Sequence, residues 1–425
     1  MIDLIKAIPK KKIWILFLVF VVGVLFRLWL ISLVPQPFIL DQREYHHFAE
    51  KILEDKHHLY AYGYRLYGYP LLLALIYKFF GVGDVFIWKI VQALLDASCG
   101  LMIYYLGSHL SANKKAALIG FILYMFNPFT SGYIGVRLTE ISAIFLVTLA
   151  FFLLYRFLIK RSLLLSFLIA LVLGFIPAVR PGFLSFCLIL FLFIVTYISQ
   201  LIFSIKKKIV YVMVSSFIFF LPFVYTIVGN YTYFHTFSIS TFDSVFTREF
   251  YISLFIDSQD KVKVFPPQVN QIYYDYSSVG DPLARKEMEK RYQQMALARV
   301  RSEPDAFILS RIAKLWYVWE KNAIFPYNNP GGEMFKKAVC WTNVVLLGLG
   351  FLGFIYWSIA EIKGDRNRKF FQFIFLLFIA YISIIHAFTI TANRFSLPAY
   401  PLIIMFAGLG IWYMMKRLVR LSKML

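Results

Sequence analysis

Apolar residues run through this chain in blocks of membrane-crossing length separated by short polar breaks, a pattern unlike the one-faced stripes and alternations of a water-soluble domain. The first block, IWILFLVFVVGVLFRLWLISLV, follows a lysine-rich flank. It supplies about 21 mostly apolar residues and no small-residue cleavage site follows, so it reads as an uncleaved first helix with its lysines held in the cytoplasm. Further blocks lie near 85–108, 115–132, 139–159, 162–178, 183–204, 209–229, 338–360, 370–390 and 396–415. The expected architecture is all-α and polytopic, with about ten crossing helices.

The run GYPLLLALIYKFFGV, 68–82, is borderline in length, and charge decides its place. With it on the outer surface, SANKK (111–115), YRFLIKR (155–161), KKK (206–208), KGDRNRK (363–369) and the terminal KRLVRLSK all fall on the cytoplasmic side. Both termini are then inside, and 35–84, the neighbourhood of 133–138 and 230–337 face out. This divides the chain into an N-terminal membrane module (1–229) carrying the first outer loop, a large outer loop (230–337) and a C-terminal membrane module (338–425). The large loop is expected to form a helix from Pro282 to Ser302. PDAFILSRIAKLWYVWEK, 304–321, is expected to lie at the membrane interface through its Phe, Ile, Leu and Trp side chains. Tyr45, Phe48, Ala49, Ile52 and Leu53 recur at helical spacing, which predicts a further amphipathic surface helix over 42–54. No internal repeat stands out, which weighs against a repeat-built transporter.

Composition agrees with the pattern: 60% of residues are hydrophobic and 16% charged. A net charge of +21 would suit a nucleic-acid binder, but the basic residues sit in clusters between apolar blocks, where membrane orientation accounts for them, and no nucleic-acid partner is expected. Cys99, Cys187 and Cys340 fall inside apolar runs without pairing or ligand spacing, so neither a disulfide nor a zinc site is expected.

The densest charge cluster, FILDQREYHHFAEKIL (38–53), opens the first outer loop. Asp41 with Glu44 three residues on reads as a helix-capping pair, and equally as a carboxylate placed where a lipid-borne substrate meets an aqueous one. Glu140 stands at the outward start of a crossing helix, where an acid is costly unless paired or used, and Arg137 one turn earlier offers a pairing partner. Arg65, Arg180 and Arg394 also fall at outer helix ends. Each alone reads as an interfacial anchor; their common side is the stronger signal. His46, His47, His57 and His58 look like a metal cluster, but adjacent histidines point to different helix faces, which favours solvated roles. His386 reads as packed on a polar neighbour or near the outer site, and Arg27 as snorkelling or touching phosphate. The tyrosines of 60–69 suit sugar stacking and an interfacial belt alike. Phosphate-binding glycine motifs and a Walker lysine are missing, so a soluble sugar nucleotide is a poor donor.

Together these stretches resemble the C-type membrane glycosyltransferases (GT-C). The resemblance rests on DxxxY after the first span, RxxGYPLLLALIY followed by FG, TE about a hundred residues after the Asp, RPG, and a final NRFSLPAYP. AxxxVxxxPDAFxLxxxxKLW in the long loop is similar to the bacterial branch related to protein mannosyltransferases and lipid A aminoarabinose transferases. The resemblance spans essentially the whole chain. It implies a GT-C fold with outer juxtamembrane helices, and an enzyme of the inner membrane, active at its outer face. That enzyme would move a hexosyl or pentosyl group, with inversion, from a polyprenyl-phosphate carrier to a glycan, lipid or protein acceptor.

The catalytic base then falls on Asp41, with Glu140 beside it and Arg65, Arg180 and Arg394 on the carrier phosphate; Tyr45, Tyr67, Tyr69 and Arg137 are further substrate contacts. A divalent cation, Mg or Mn, is left open, with Asp41 and Glu140 as its ligands if one is used. Two departures stand out. Gln42 occupies the place where many members carry a second acid, and Tyr67-Gly68 precede Tyr69-Pro70 where the aminoarabinose branch has Glu-Lys. A lipid or sugar transporter, a polymerase or ligase using diphosphate-linked glycans, and an inactive binding relative are the rival readings. Substrate chemistry fits the carrier: a phosphate monoester leaves with little need of a proton but wants permanent cations, whereas the attacking hydroxyl wants a carboxylate.

Overall fold

The computed structural model describes residues 10–54, 66–82, 85–201, 204–235, 237, 239, 245–262, 264–278, 282–360 and 365–422. Arg65, His57 and His58 lie outside these residues. The first half comprises α1 (Lys10–Leu33), α2 (Asp41–Glu54), α3 (Gly68–Phe80), α4 (Val85–Leu110), α5 (Lys114–Met125), α6 (Pro128–Ser131), α7 (Glu140–Lys160), α8 (Leu163–Val179), α9 (Leu184–Leu201) and α10 (Ile205–Phe234). Four helices of the connecting stretch follow: α11 (Val245–Ile252), α12 (Pro267–Ser278), α13 (Pro282–Ser302) and α14 (Pro304–Tyr317). The chain ends with α15 (Glu333–Ala360), α16 (Arg366–Phe388), a 3-10 segment Asn393–Ala399 and α17 (Tyr400–Ser422). No strand occurs among the described residues.

Among the described residues eight helices are long and apolar enough to cross a membrane, and the chain is a multi-pass membrane protein. The two further crossings expected at 115–132 and 162–178 are shorter helices, α5 and α8. α8 nevertheless runs the depth of α7: it starts just after α7 stops, and Arg180 at its end meets Glu140 at the start of α7. α5 stops at Met125 because Asn127 and Pro128 begin a new turn, the Asn127 side chain accepting the Phe129 N–H at 3.2 Å.

The broken end is satisfied from within the bundle. Arg27, fully buried, donates to the carbonyls of Tyr124 (3.1 Å), Met125 (2.6 Å) and Gly23 (3.0 Å) and pairs through Nε with Asp96 at 2.7 Å. Asp96 in turn accepts from the Tyr124 hydroxyl at 2.6 Å. Such pairing is what lets a helix end inside an apolar bundle. Arg27 therefore neither snorkels nor reaches outward for phosphate.

α5, α15 and α17 pack through small residues. A Cβ on Gly353 would lie 1.8 Å from the Phe406 carbonyl oxygen, and one on Gly408 would lie 2.4 Å from the Gly120 nitrogen. Close backbone approach of this kind substitutes for the hydrophobic drive that lipid does not supply. α2 buries Gln42, Tyr45, Phe48 and Ala49, matching the helix expected over 42–54. It packs against α3, where Tyr45 and Tyr69 meet edge to face at 5.2 Å.

α14 is turned inside out. Arg311 and Lys314 are buried, whereas Ile308, Leu309, Ile312, Leu315 and Trp316 are exposed. Arg311 donates to the Ala387 carbonyl at 2.9 Å and the Ser253 carbonyl at 2.8 Å, and Lys314 to the same Ser253 carbonyl at 2.8 Å. The two cations thus cap the C-terminal ends of α11 and α16, the negative poles of those helices.

Candidate active site

The start of α2 fixes Asp41. Gln42 is buried, donating to the Pro37 carbonyl at 2.7 Å and accepting the Arg137 backbone N–H at 3.0 Å. Leu40, just before Asp41, adopts a left-handed φ of 51°, an uncommon conformation for a side chain of that size. Gln42 therefore anchors the loop, while the Asp41 side chain next to it stays 26% exposed.

Three residues distant in sequence join it. Arg394 Nη2 lies 3.4 Å from Asp41 Oδ2, and its Nε lies 3.6 Å from Glu140 Oε1. Arg180 Nη1 reaches the same Glu140 oxygen at 3.6 Å. One guanidinium thus stands between two carboxylates, and one carboxylate is shared by two guanidinium groups. The contacts are longer than charge-assisted hydrogen bonds, and both Glu140 Oε2 and Arg180 Nη1 are buried without a hydrogen-bond partner. The Phe395 ring lies beside both arginines, 4.9 Å from the Arg180 guanidinium and 5.7 Å from that of Arg394.

The segment bearing Arg394 is held by residues that the sequence did not single out. Asp260 accepts the Asn393 N–H at 2.5 Å, and Gln259 N–H donates to the Thr391 carbonyl at 2.9 Å. Lys321 donates to the Asn393 carbonyl, to Ser396 Oγ at 2.7 Å and to the Val318 carbonyl at 3.4 Å. Burial pushes the Asp260 carboxyl up and the Lys321 ammonium down to about 7. Tyr133 and Tyr327 also border the site. Burial pushes both hydroxyls up, and the carboxylates add to it: Glu140 and Asp260 for Tyr133, Asp41 and Glu140 for Tyr327. Their signal in the sequence was nil, since tyrosines and a lone lysine in a polar loop are ordinary.

The remaining expected site residues fall elsewhere. Arg137 does not pair with Glu140; its guanidinium lies 4.9 Å from the Phe38 ring and 5.0 Å from that of Trp88. The Tyr67 hydroxyl donates to the Pro222 carbonyl and its ring packs on Tyr225 at 4.7 Å. Tyr69 is buried, its hydroxyl donating to Gln92 at 3.3 Å. Tyr45 lies closer to the charges, near enough to Arg180 to act on its guanidinium. His46 bonds the Tyr77 hydroxyl at 2.8 Å and Glu50 at 3.3 Å.

Among the described residues no three His, Cys, Asp or Glu side chains gather as a metal site. Asp41 and Glu140 both turn onto Arg394, whose guanidinium takes the space a shared cation would need. In this arrangement the pair does not fit a divalent ion, and the positive charge between the carboxylates is arginine's own.

No protein-family model matches the chain, and no curated protein matches it. In three dimensions it is similar to the archaeal oligosaccharyltransferase AglB from Archaeoglobus fulgidus, solved in complex with an inhibitory peptide and a dolichol-phosphate. The TM-score is 0.50 at 15% identity, over 98% of this chain and 52% of that one. The chain therefore spans about half the length of that protein. The likeness shows a fold shared with that protein, and the all-α polytopic architecture expected from the sequence is the one observed.

Proposed function

We propose that this protein is an inverting membrane glycosyltransferase of the bacterial branch named above, moving a sugar from a polyprenyl-phosphate carrier to an acceptor hydroxyl at the outer face of the cytoplasmic membrane. The observation that carries the reading is the meeting of Asp41, Glu140, Arg180 and Arg394 at one end of the bundle. The AglB complex, with its dolichol-phosphate and peptide, supports an isoprenoid phosphate and a separate acceptor as the two kinds of ligand.

In the proposed reaction the acceptor oxygen attacks the anomeric carbon and gives its proton to Asp41. The carbon–oxygen bond to phosphate breaks, and its electron pair stays on the phosphate oxygen. Arg180 and Arg394, joined by Arg65 as the resemblance implies, take up the charge left there; fixed donors in a partly dry site are most effective where charge develops. Glu140 keeps both guanidinium groups in place between turnovers. The stretch between α10 and α15 covers the site and selects the acceptor.

The test uses the full chain in lipid nanodiscs, offered monophosphate- and diphosphate-linked sugar donors. Asp41→Asn is expected to lose about 10²–10⁴-fold in transfer from the monophosphate donor, with unchanged carrier binding. Normal transfer by that variant removes Asp41 as base; transfer from the diphosphate donor alone removes the carrier assignment.

A further inference from the structure

His386, near the end of α16, has no part in the reaction just described, yet it sits against the same site. Its ring stacks on Phe395 at 4.5 Å with 27° between the planes. Phe395 is also the ring beside the Arg180 and Arg394 guanidinium groups. His386 Nδ1 is sealed from solvent without a hydrogen-bond partner, as are Arg180 Nη1 and Glu140 Oε2. Buried polar atoms left without partners are rare in folded proteins and call for an explanation. The two that can donate, His386 Nδ1 and Arg180 Nη1, stand at one site and point to a ligand that accepts hydrogen bonds.

Charge selects the kind of ligand. Asp41 and Glu140 balance Arg180 and Arg394, and Asp260 faces Lys321. A phosphate monoester arrives with about 1.5 to 2 negative charges. Beside the arginines assigned to it above, it is served by a further donor that can acquire positive charge as the anion enters. Imidazole is the side chain suited to this: it can donate while neutral, and an entering phosphate supplies the counter-charge that favours its second proton.

We propose that His386 is a further donor, beside Arg180 and Arg394, to the phosphate of the isoprenoid carrier, and that the Phe395 ring sets the angle at which it donates. This rests on the transfer reading above. His386 is thus a binding residue that meets the leaving group, while Asp41 meets the acceptor.

Binding of farnesyl phosphate to the full chain in nanodiscs, with farnesol as the phosphate-free control, tests it. His386→Phe keeps a flat ring on Phe395 but has no donor, and is expected to weaken farnesyl phosphate binding about tenfold or more without changing farnesol binding. His386→Gln, which can still donate but cannot take a second proton, is expected to bind farnesyl phosphate more weakly than the unmodified protein and more tightly than His386→Phe. Equal binding by all three proteins overturns the proposal. An independent reading needs no folded Phe variant: in the ¹⁵N-histidine-labelled protein, the His386 signal is expected to move to the imidazolium position on adding farnesyl phosphate, and a signal that stays overturns the proposal. If the unmodified protein binds farnesyl phosphate no better than farnesol, the carrier reading itself fails, a result distinct from both.

Discussion

Asp41 and Glu140 carry the same charge and meet the same guanidinium, yet their surroundings assign them different costs of removal. Asp41 and Arg394 are 26% and 25% exposed; Glu140 is 4% and Arg180 11%. A pair open to solvent contributes about 0–1 kcal/mol, whereas taking one partner from a buried pair costs about 3–5 kcal/mol because the other charge is left uncompensated. Asp41→Asn is therefore expected to leave the thermal midpoint almost unchanged, and Glu140→Gln to lower it by several degrees, both measured by intrinsic fluorescence in detergent. Equal shifts would show that Glu140 is not the buried anchor of the two arginines. These four residues were legible in the sequence because charge at the end of an apolar block is costly and so conspicuous. Lys321 and Asp260 were not, because each looks like an ordinary loop charge until the fold brings it to Asn393. Their burial has its own signature. With Lys321 at about 7 in the folded protein against an ordinary 10.5, the unfolded chain binds more protons between those values, so stability rises with pH across that window. Lys314, also pushed down by burial to about 7, acts with the same sign. Asp260, pushed up from 3.8, acts with the opposite sign at acid pH. The midpoint is expected to climb from pH 7 to 9.5, and Lys321→Met to climb less; an unaltered slope in that variant would sink the assignment.

At the scale of the element, α14 shows what a hydrophobic pattern reveals and what it leaves open. The apolar spacing of 304–321 correctly marks a helix whose Ile, Leu and Trp side chains turn away from the protein. It does not reveal that the opposite, cationic face points inward, since the acceptors of Arg311 are 58 and 76 residues away, at the ends of α11 and α16. Arg311→Leu would suit the packing volume but leave the Ser253 hydroxyl and the Ala387 carbonyl short of a donor, at about 1–3 kcal/mol for each buried group. The expected outcome is a lower midpoint together with faster amide exchange over 253–257 and 386–391, while α4 and α7 keep their protection. Uniform protection in all four regions would mean that Arg311 is dispensable to those helix ends. α5 offers the converse lesson. The block 115–132 has the length of a span, but its Asn127-Pro128 pair was a visible stop signal. The Arg27–Asp96 pair that makes such a stop tolerable inside the bundle joins residues 69 apart and has no local signature.

For the whole molecule, the decisive relation is between the charged site at one end of the bundle and the basic clusters at the other. α7 begins with Glu140 in the site and ends at Lys160, about 30 Å away by helix rise. α8 returns from that far end to Arg180, and α16 runs from Arg366 there back toward His386. The N-terminal end of α10, with its KKK, lies on that side by the same alternation of passes. Lysine and arginine next to membrane spans are as a rule retained in the cytoplasm, so the site is expected to face outward, where an isoprenoid carrier would present its sugar. α5 and α8 act as passes even though each is shorter than a full span, and this keeps the basic clusters on one side. Single cysteines decide it. In a Cys340→Ser background, in which Cys99 and Cys187 are buried, Lys290→Cys on α13 is expected to react with a membrane-impermeant maleimide on intact cells. Lys207→Cys on α10 is expected to react only after permeabilisation. The reverse pattern would put Asp41 and its arginines in the cytoplasm, and labelling of both positions on intact cells would break the alternation of passes on which the shared site depends.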